Sequence, residues 1–283
     1  MPEALALALA GFGAGLINGA AGGGTLVSFP ALLALGYPAT VANVTSTVGI
    51  WTGYLGGAAG FRAELVSQRR RLVALGPAGL AGGVLGAVLL VLTPNAVFRE
   101  LAPLLILGAC ALFAIQPWLS TKVRSGAHPE PADDRDQPMG ALVGTFLAAI
   151  YGGYFGAGLG VILLAVLGFA IDDELFRING LRSVLALLVN SVAVVVFAVG
   201  ADVAWGAAGV LAVASLLGGY VGASVARRLP APLLRAVIIA IGTVAALRLL
   251  IGLGRTFSPR GFGRAVRGAP GGGPPPGSGL GRS

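Results

Sequence analysis

The chain has few charged residues, one cysteine and one histidine. Only 11% of its 283 residues are Asp, Glu, Lys or Arg, whereas soluble globular domains carry about 25%. Cys110 has no second cysteine in this sequence, which excludes an intrachain disulfide framework and a thiolate metal site. The lone His128 lies in a polar stretch and is interpreted as solvated. We therefore predict no cofactor and no metal.

Acidic residues are absent from the interiors of the apolar segments. All eleven Asp and Glu residues lie in polar stretches or at segment ends. Intramembrane catalysis, a carboxylate proton relay and carboxylate ligation of a cation each need an ionisable group at that depth. The chain is thus predicted not to be an enzyme, and its ligand is predicted to be an anion or a neutral solute.

Long apolar runs are abundant, with 56% apolar residues and a mean hydropathy of +0.88. Each run approaches or exceeds the roughly 17 to 25 residues that a helix needs to cross a bilayer. The sequence predicts an all-α integral membrane protein with about 8 to 10 membrane segments. The apolar segments are 4–20, 25–36, 41–60, 73–93, 101–118, 139–154, 158–171, 183–200, 204–226 and 232–253.

The segments divide into two sets of five. A charged, proline-containing linker at 119–137 separates a membrane repeat at 1–118 from a second repeat at 138–253, and the Gly, Pro and Arg rich tail at 254–283 is predicted to be disordered. The net charge of +8 is concentrated in the tail and at segment ends, where it contacts lipid headgroups. The expected partner is the lipid bilayer and not a nucleic acid; association with a second copy is left open.

The two halves are internal repeats. The block Gly82-Gly83-Val84-Leu85-Gly86-Ala87 recurs 136 positions later as Gly218-Gly219-Tyr220-Val221-Gly222-Ala223. At the same shift Asn43 meets Asn179 and Arg99 meets Arg235, while upstream glycines match at a shift of 134. Several independent matches at one spacing indicate a duplication with a two-residue insertion.

The positions of basic residues predict that the repeats have inverted topology. The loop at 61–71 contains four arginines, and its equivalent at 197–207 contains none. At the next loop the bias reverses, because Arg227 and Arg228 stand opposite apolar residues. Short basic loops stay in the cytoplasm, so the copies face opposite ways. Each repeat is then a broken-helix hairpin followed by three transmembrane helices, with both chain termini extracytoplasmic.

Two glycine clusters are the strongest candidates for a substrate site. Dense glycine interrupts a helix and frees backbone amides, and a helix N-terminus favours an anion. The alternative is close helix packing through small residues, which we favour for the blocks at 82 and 218. The candidates in the clusters are Asn18, Gly22, Gly23, Gly24 and Thr25 in the first half and Gly156, Gly158 and Gly160 in the second.

Polar residues follow each hairpin. They are Asn43, Thr45 and Ser46 in the first half and Asn179 and Arg182 in the second. The asparagines and hydroxyls are substrate ligands or helix N-caps. Arg182 stands at the head of an apolar run, where it binds an anion, reaches to the interface, or pairs with an acid at 172–174.

These residues also carry a family resemblance. The first cluster, 19–24, is followed by Pro30, Leu32, Gly36, Ala42, Thr45 and Ser46. The second, 153–160, is followed by Asn179-Gly180-Leu181-Arg182, then Asn190 and Phe197. In this doubled order, residues 8–253 resemble the sulfite exporter TauE/SafE family of bacterial membrane permeases.

The resemblance implies a multi-pass plasma-membrane permease whose relatives handle sulfite, sulfonates and related sulfur-containing anions. Two departures stand out. Leu164 replaces the proline that would match Pro30, and Arg182 stands where the family often has lysine. The leading hypothesis is alternating-access transport of a small sulfur oxyanion held by the two glycine clusters and Arg182. The alternatives are transport of a carboxylate, a thiol compound or a neutral metabolite, and a membrane scaffold that transports nothing.

Overall fold

The chain folds as helices joined by turns. The computed structural model describes residues 2–20, 22–60, 68–126, 138–171, 173, 175–225 and 231–256. The helices of these ranges are α1 (Pro2–Ala20), α2 (Thr25–Ala34), α3 (Ala39–Gly60), α4 (Arg69–Leu92), α5 (Asn95–Gly126), α6 (Met139–Tyr154), α7 (Leu159–Ala170), α8 (Leu175–Gly200), α9 (Trp205–Val225) and α10 (Ala231–Thr256). The predicted all-α membrane fold is confirmed.

Helix length separates two kinds of element. Within the described ranges, four stretches are long and apolar enough to cross a membrane: Arg69–Leu92, Asn95–Thr121, Arg177–Gly200 and Trp205–Gly222. The helices α1, α2, α6 and α7 contain shorter apolar stretches. These short helices come in consecutive pairs, so each pair is a hairpin that is interrupted within the fold.

Several helices extend beyond the predicted segments. The segment predicted to end at 118 continues as α5 to Gly126, which places the start of the predicted linker inside a helix. Helix α8 begins at Leu175 rather than 183, so Asn179 and Arg182 lie within it. The remainder of the linker, 127–137, and the tail beyond Thr256 lie outside the described residues.

Contacts at one end of the bundle, called here the first end, join the start of α1 to the turn after α2. The Tyr37 hydroxyl donates a hydrogen bond to Glu3 Oε1 at 3.1 Å, which raises the pKa of this half-buried tyrosine above 10.0. Both the amide and the hydroxyl of Thr40 donate to Asn95 Oδ1 at 3.1 Å. The hairpin α1–α2 therefore enters the bundle from the first end.

The second hairpin enters from the other end, called here the second end. Asp173, just after α7, forms an ion pair with Arg71 in the first turn of α4. Nearby, Gln68 Nε2 donates to the carbonyl of Arg177 at 2.8 Å. Because α4 runs from this contact to within three residues of Asn95 at the first end, the hairpins α1–α2 and α6–α7 open at opposite ends.

Helix pairing follows a two-fold pattern. Helix α1 packs on α9 as α6 packs on α4, and α3 packs on α9 as α8 packs on α4. The contacts α3–α8 and α5–α10 pair each helix with its own repeat equivalent. A pseudo-two-fold axis predicts this pattern. The inverted orientation of the repeats in a membrane stays a prediction.

The two glycine blocks lie where helices approach most closely. A Cβ on Gly82 or Gly86 of α4 would collide with the carbonyl oxygens of Phe146 or Ile150 in α6. In the second copy, a Cβ on Gly222 of α9 would lie 2.6 Å from the Leu16 carbonyl oxygen of α1. These glycines pack helices together, as the sequence interpretation of the blocks at 82 and 218 proposed.

Candidate functional site

Both hairpins turn at an equivalent glycine. Gly22 has φ 77° and Gly156 has φ 80°, a region that residues with a side chain rarely adopt. The amide of Gly22 donates to the Ile17 carbonyl at 3.1 Å, and that of Gly156 donates to the Tyr151 carbonyl at 3.4 Å. Donors and acceptors match at the shift of 134, so α1 and α6 end in the same way.

The two breaks differ in the residues that follow. Gly158 has φ 80° and precedes α7, whereas its equivalent Gly24 has φ −58° and leads directly into α2. The second break forms although Leu164 replaces a proline, because Pro30 lies inside α2 and takes no part in the turn. Both breaks therefore form at the glycines and do not require the proline.

The breaks meet inside the protein. A Cβ on Gly22 would lie 3.3 Å from Gly160 Cα, so the first turn contacts the start of α7. A Cβ on Gly156 would lie 3.7 Å from Thr25 Oγ1 and 4.0 Å from Asn190 Oδ1. The N-termini of α2 and α7 are therefore brought together, and both helix dipoles place partial positive charge there.

Arg182 points at this meeting place from α8. It is only 8% exposed, and its Nη1 donates to the Gly160 carbonyl at 2.9 Å. Its Nε is buried without a hydrogen-bond partner. The acid Asp173 pairs with Arg71 and Arg177, while 172 and 174 lie outside the described residues. Arg182 thus brings a buried cation to the second break instead of reaching to the interface.

Neutral polar side chains lie beside the breaks. Asn18 Oδ1 accepts a hydrogen bond from the Gly24 amide at 2.7 Å, and its Nδ2 is buried without a partner. The Tyr54 hydroxyl lies near the side-chain amides of Asn190 and Asn18. Sequence reasoning missed Tyr54 as a site residue. The available signal was the shift of 136, which pairs Tyr54 with Asn190 in the middle of equivalent helices.

Other predicted residues form hydrogen bonds to neighbouring helices and turns. Asn43 lies beside the second break, because its Nδ2 donates at 3.0 Å to the carbonyl of Tyr154, the last residue of α6. Thr45 Oγ1 accepts from the Ala204 amide at 3.0 Å. The hydroxyls of Ser46 and Ser28 share a hydrogen bond of 2.6 Å. The N-cap alternative is wrong for Asn43 and Asn179, because α3 and α8 begin four residues before them.

Two of the predicted glycines face α5. A Cβ on Gly23 would collide with the ring of Phe113, and one on Gly158 would lie 3.6 Å from Ala109 Cβ. Close packing of the first break against α5 therefore explains the glycine at position 23. A ligand role for either glycine stays a prediction that involves backbone groups only.

The two repeats differ in charge at one pair of equivalent positions. Arg182 occupies the place that Ser46 holds in the first repeat, at the shift of 136. Ser46 is fully buried and bonded to Ser28 of its own hairpin, whereas Arg182 reaches the backbone of α7. At this pair of positions the second repeat therefore carries a cationic side chain and the first repeat a neutral one.

Comparison with known proteins covers nearly the whole described bundle. A family model described as Sulfite exporter TauE/SafE matches residues 7–249. The chain is 28% identical over 240 residues to a Haemophilus influenzae protein named Probable membrane transporter protein, covering 81% of this chain and 87% of that protein. It is 25% identical over 247 residues to Probable membrane transporter protein YfcA of Escherichia coli, covering 84% and 86%. A Sinorhizobium protein, Probable membrane transporter protein ORF9, is 26% identical over 257 residues, covering 86% and 91%.

Proposed function

Because the chain belongs to the sulfite exporter TauE/SafE family, and is a multi-pass transporter of the bacterial plasma membrane, we propose that it carries a small sulfur-containing anion such as sulfite or an organosulfonate. The observation that carries this proposal is the buried guanidinium of Arg182 beside the two converging breaks. The family description supplies the sulfur chemistry.

Local charge supports an anionic substrate. Arg182 Nε is buried without a hydrogen-bond partner, which is costly unless something else stabilises the charge. The sequences of α2, α3, α7 and α8 contain no Asp or Glu. An anion at the breaks would satisfy both the guanidinium and the helix N-termini.

Guanidinium geometry supports an oxyanion in particular. Its planar fork presents donors that match two oxygens at once, whereas a lysine offers a point charge. Sulfite and sulfonate groups present such paired oxygens. Arg182 keeps one donor on the Gly160 carbonyl, so the substrate would bind with the remaining donors and fix its position relative to α7.

Access to the site is proposed to alternate between the two ends. At the first end, a cleft of about 160 Å³ is lined by residues that include Thr40, Thr93 and Asp202. At the second end, the buried pair of Arg71 and Asp173 closes α4 against the α7–α8 turn. Rocking of the two halves about the α3–α8 contact would open one end while it closes the other.

The proposal is tested by uptake of labelled sulfite into proteoliposomes, with chloride, sulfate, phosphate, taurine and acetate as competitors. We expect saturable uptake in the native protein and an apparent affinity about 10- to 100-fold weaker in Arg182→Ala, from the loss of a hydrogen bond between charged groups. Arg182→Lys retains the charge and should lose less.

A matched control is Thr145→Val, which removes a buried hydroxyl without a hydrogen-bond partner on α6. It should transport as the native protein does. Saturable uptake that is insensitive to Arg182→Ala would contradict the role of the arginine. Flux of acetate or a neutral solute without flux of any sulfur anion would contradict the substrate class.

A further inference from the structure

Asn18 has an unusual hydrogen-bonding state for a buried side chain. It is 8% exposed, and its Oδ1 accepts the Gly24 amide at 2.7 Å. That contact fixes the orientation of the side-chain amide, because a rotated amide would point N–H groups at a backbone donor. The Nδ2 group is therefore turned away from Gly24, and it has no hydrogen-bond partner. A buried donor of this kind has lost its hydrogen bonds to water without replacement, so an acceptor brought by a ligand would stabilise it.

The surroundings of Nδ2 are polar and belong to both repeats. The Tyr54 hydroxyl lies near Asn18 and near Asn190, but it does not reach hydrogen-bonding geometry with Asn18 Nδ2. Asn190 Nδ2 donates to the Ala186 carbonyl at 2.8 Å. Asn190 Oδ1 in turn lies 4.0 Å from the Cβ position of Gly156, at the second break. Asn18, Tyr54 and Asn190 thus form one neutral cluster, which lies next to the breaks.

Arg182 and Asn18 reach the breaks from different repeats. Arg182 Nη1 donates to the Gly160 carbonyl, and a Cβ on Gly22, four residues after Asn18, would lie 3.3 Å from Gly160 Cα. The first repeat has no counterpart of the Arg182 cation, since Ser46 stands there, and the second has glycine, Gly152, where the first has Asn18. The duplicated fold has therefore placed a charged donor on one repeat and a free neutral donor on the other.

A comparison with Asn43 shows why Asn18 is the better candidate to bind an anion. Both are buried, and each has one side-chain atom without a hydrogen-bond partner. At Asn43 that atom is the acceptor Oδ1, while Nδ2 donates to the Tyr154 carbonyl. An anion needs donors, so Asn18 fits an anion and the unpaired atom of Asn43 does not.

We propose that the Asn18 side-chain amide, held by Gly24 and flanked by Tyr54, is a specificity-determining donor that binds an oxygen atom of the transported anion. This rests on the proposed function of the same site. The Asn18 donor selects ligands that present an unprotonated oxygen, because a ligand without that acceptor would leave Nδ2 unpaired. Arg182 supplies charge attraction, and Asn18 supplies discrimination.

The test uses the full-length protein in detergent and measures the rise in thermal unfolding temperature caused by sodium salts of sulfite, sulfate, methanesulfonate, acetate and chloride. Two variants are compared with the native protein. Asn18→Asp keeps the acceptor for Gly24 and removes the donor, but it adds negative charge. Asn18→Leu has a similar volume and adds no charge. Thr145→Val is the control, because it loses a buried polar atom outside the cluster.

We expect both Asn18 variants to bind the stabilising oxyanions about 10- to 100-fold more weakly than the native protein, as loss of a donor to a charged group predicts. Thr145→Val should bind as the native protein does. Unchanged oxyanion binding in Asn18→Leu would overturn the proposal, and so would a native protein that no anion of the panel stabilises. Weak binding in Asn18→Asp alone would also overturn it, since repulsion by the new charge would explain that result.

Failure of this proposal is distinguishable from failure of the proposed function. Sulfite transport by the native protein with unchanged oxyanion binding in both Asn18 variants would overturn the role of Asn18 only. Oxyanion binding that needs Asn18 but extends to acetate, without transport of any sulfur anion, would overturn the sulfur substrate only.

Discussion

Among the described residues, the buried Asp173 and the buried Arg182 differ in the partners that their charged groups contact. Asp173 lies between Arg71 and Arg177, and its side chain is 5% exposed. Arg182 instead directs its guanidinium at the backbone of α7. A buried ion pair contributes little net stability, but losing one partner is costly because it leaves uncompensated charge. The first arrangement is therefore structural, and the second is available for a ligand.

We predict that Asp173→Asn destabilises the protein by up to about 3 to 5 kcal/mol, because it removes the carboxylate charge that both arginines contact. The measurement is the thermal unfolding midpoint in detergent. Asp202→Asn is the matched control, since Asp202 is exposed at the first end and should tolerate the change. Equal midpoints for the two variants would show that the Asp173 ion pairs do not hold the second end closed.

Close helix contacts set the geometry of the elements that carry the breaks. Helix α1 lies against α9, and α6 against α4, through glycines whose missing side chains let backbones touch. The partner of Gly222 is the carbonyl of Leu16, two residues before Asn18. Small shifts at this contact would move the first hairpin directly.

We predict that Gly222→Ala lowers stability by at least about 1 to 3 kcal/mol, the usual range for overpacking. Its Cβ would lie 2.6 Å from the Leu16 carbonyl oxygen, which cannot move without moving α1. Gly209→Ala, on the same helix with no neighbour within 4 Å, should be neutral or slightly stabilising because alanine favours helix. Thermal unfolding of the two variants in detergent compares them, and a stable Gly222→Ala would contradict the close contact.

At the scale of the whole molecule, two hairpins enter from opposite ends and stop at one shared centre. A substrate bound there would be separated from each side by only part of the bundle, as the proposed alternating access requires. The second end carries Arg69, Arg70 and Arg71 at the start of α4, and basic residues mark the cytoplasmic side. We therefore predict that the first end, with Glu3 and Asp202, is extracytoplasmic.

This orientation can be tested by labelling single cysteines with a membrane-impermeant maleimide. The background is Cys110→Ala, which removes the only cysteine of the sequence. Asp202→Cys should react in intact cells. Arg70→Cys, exposed at the second end, should react only after permeabilisation. The reverse pattern would invert the proposed topology, and reaction of both in intact cells would rule out this assignment of sides.

The sequence alone determined the membrane environment, the helical class, the approximate segments and the family. These follow from composition, apolar run length and repeated motifs, which are local or periodic properties of the chain. The hairpin breaks were also predictable, because glycine clusters such as 22–24 and 156–160 act on the backbone where they occur. Segment ends were less certain: α5 and α8 continue through polar residues, since helices extend beyond the apolar part of their sequence.

Only the tertiary structure decided which polar residues share the centre. Asn43 and Asn179 were both predicted as substrate ligands, yet Asn43 Nδ2 already donates to a carbonyl of α6. Tyr54 was not predicted as a site residue, yet its hydroxyl lies near both Asn18 and Asn190. Whether Arg182 binds an acid, the interface or the second break depends on which helix lies opposite it. Such pairings join residues of different helices, 22 positions apart for Arg182 and Gly160 and 111 for Asn43 and Tyr154, so tertiary packing and not local pattern determines them.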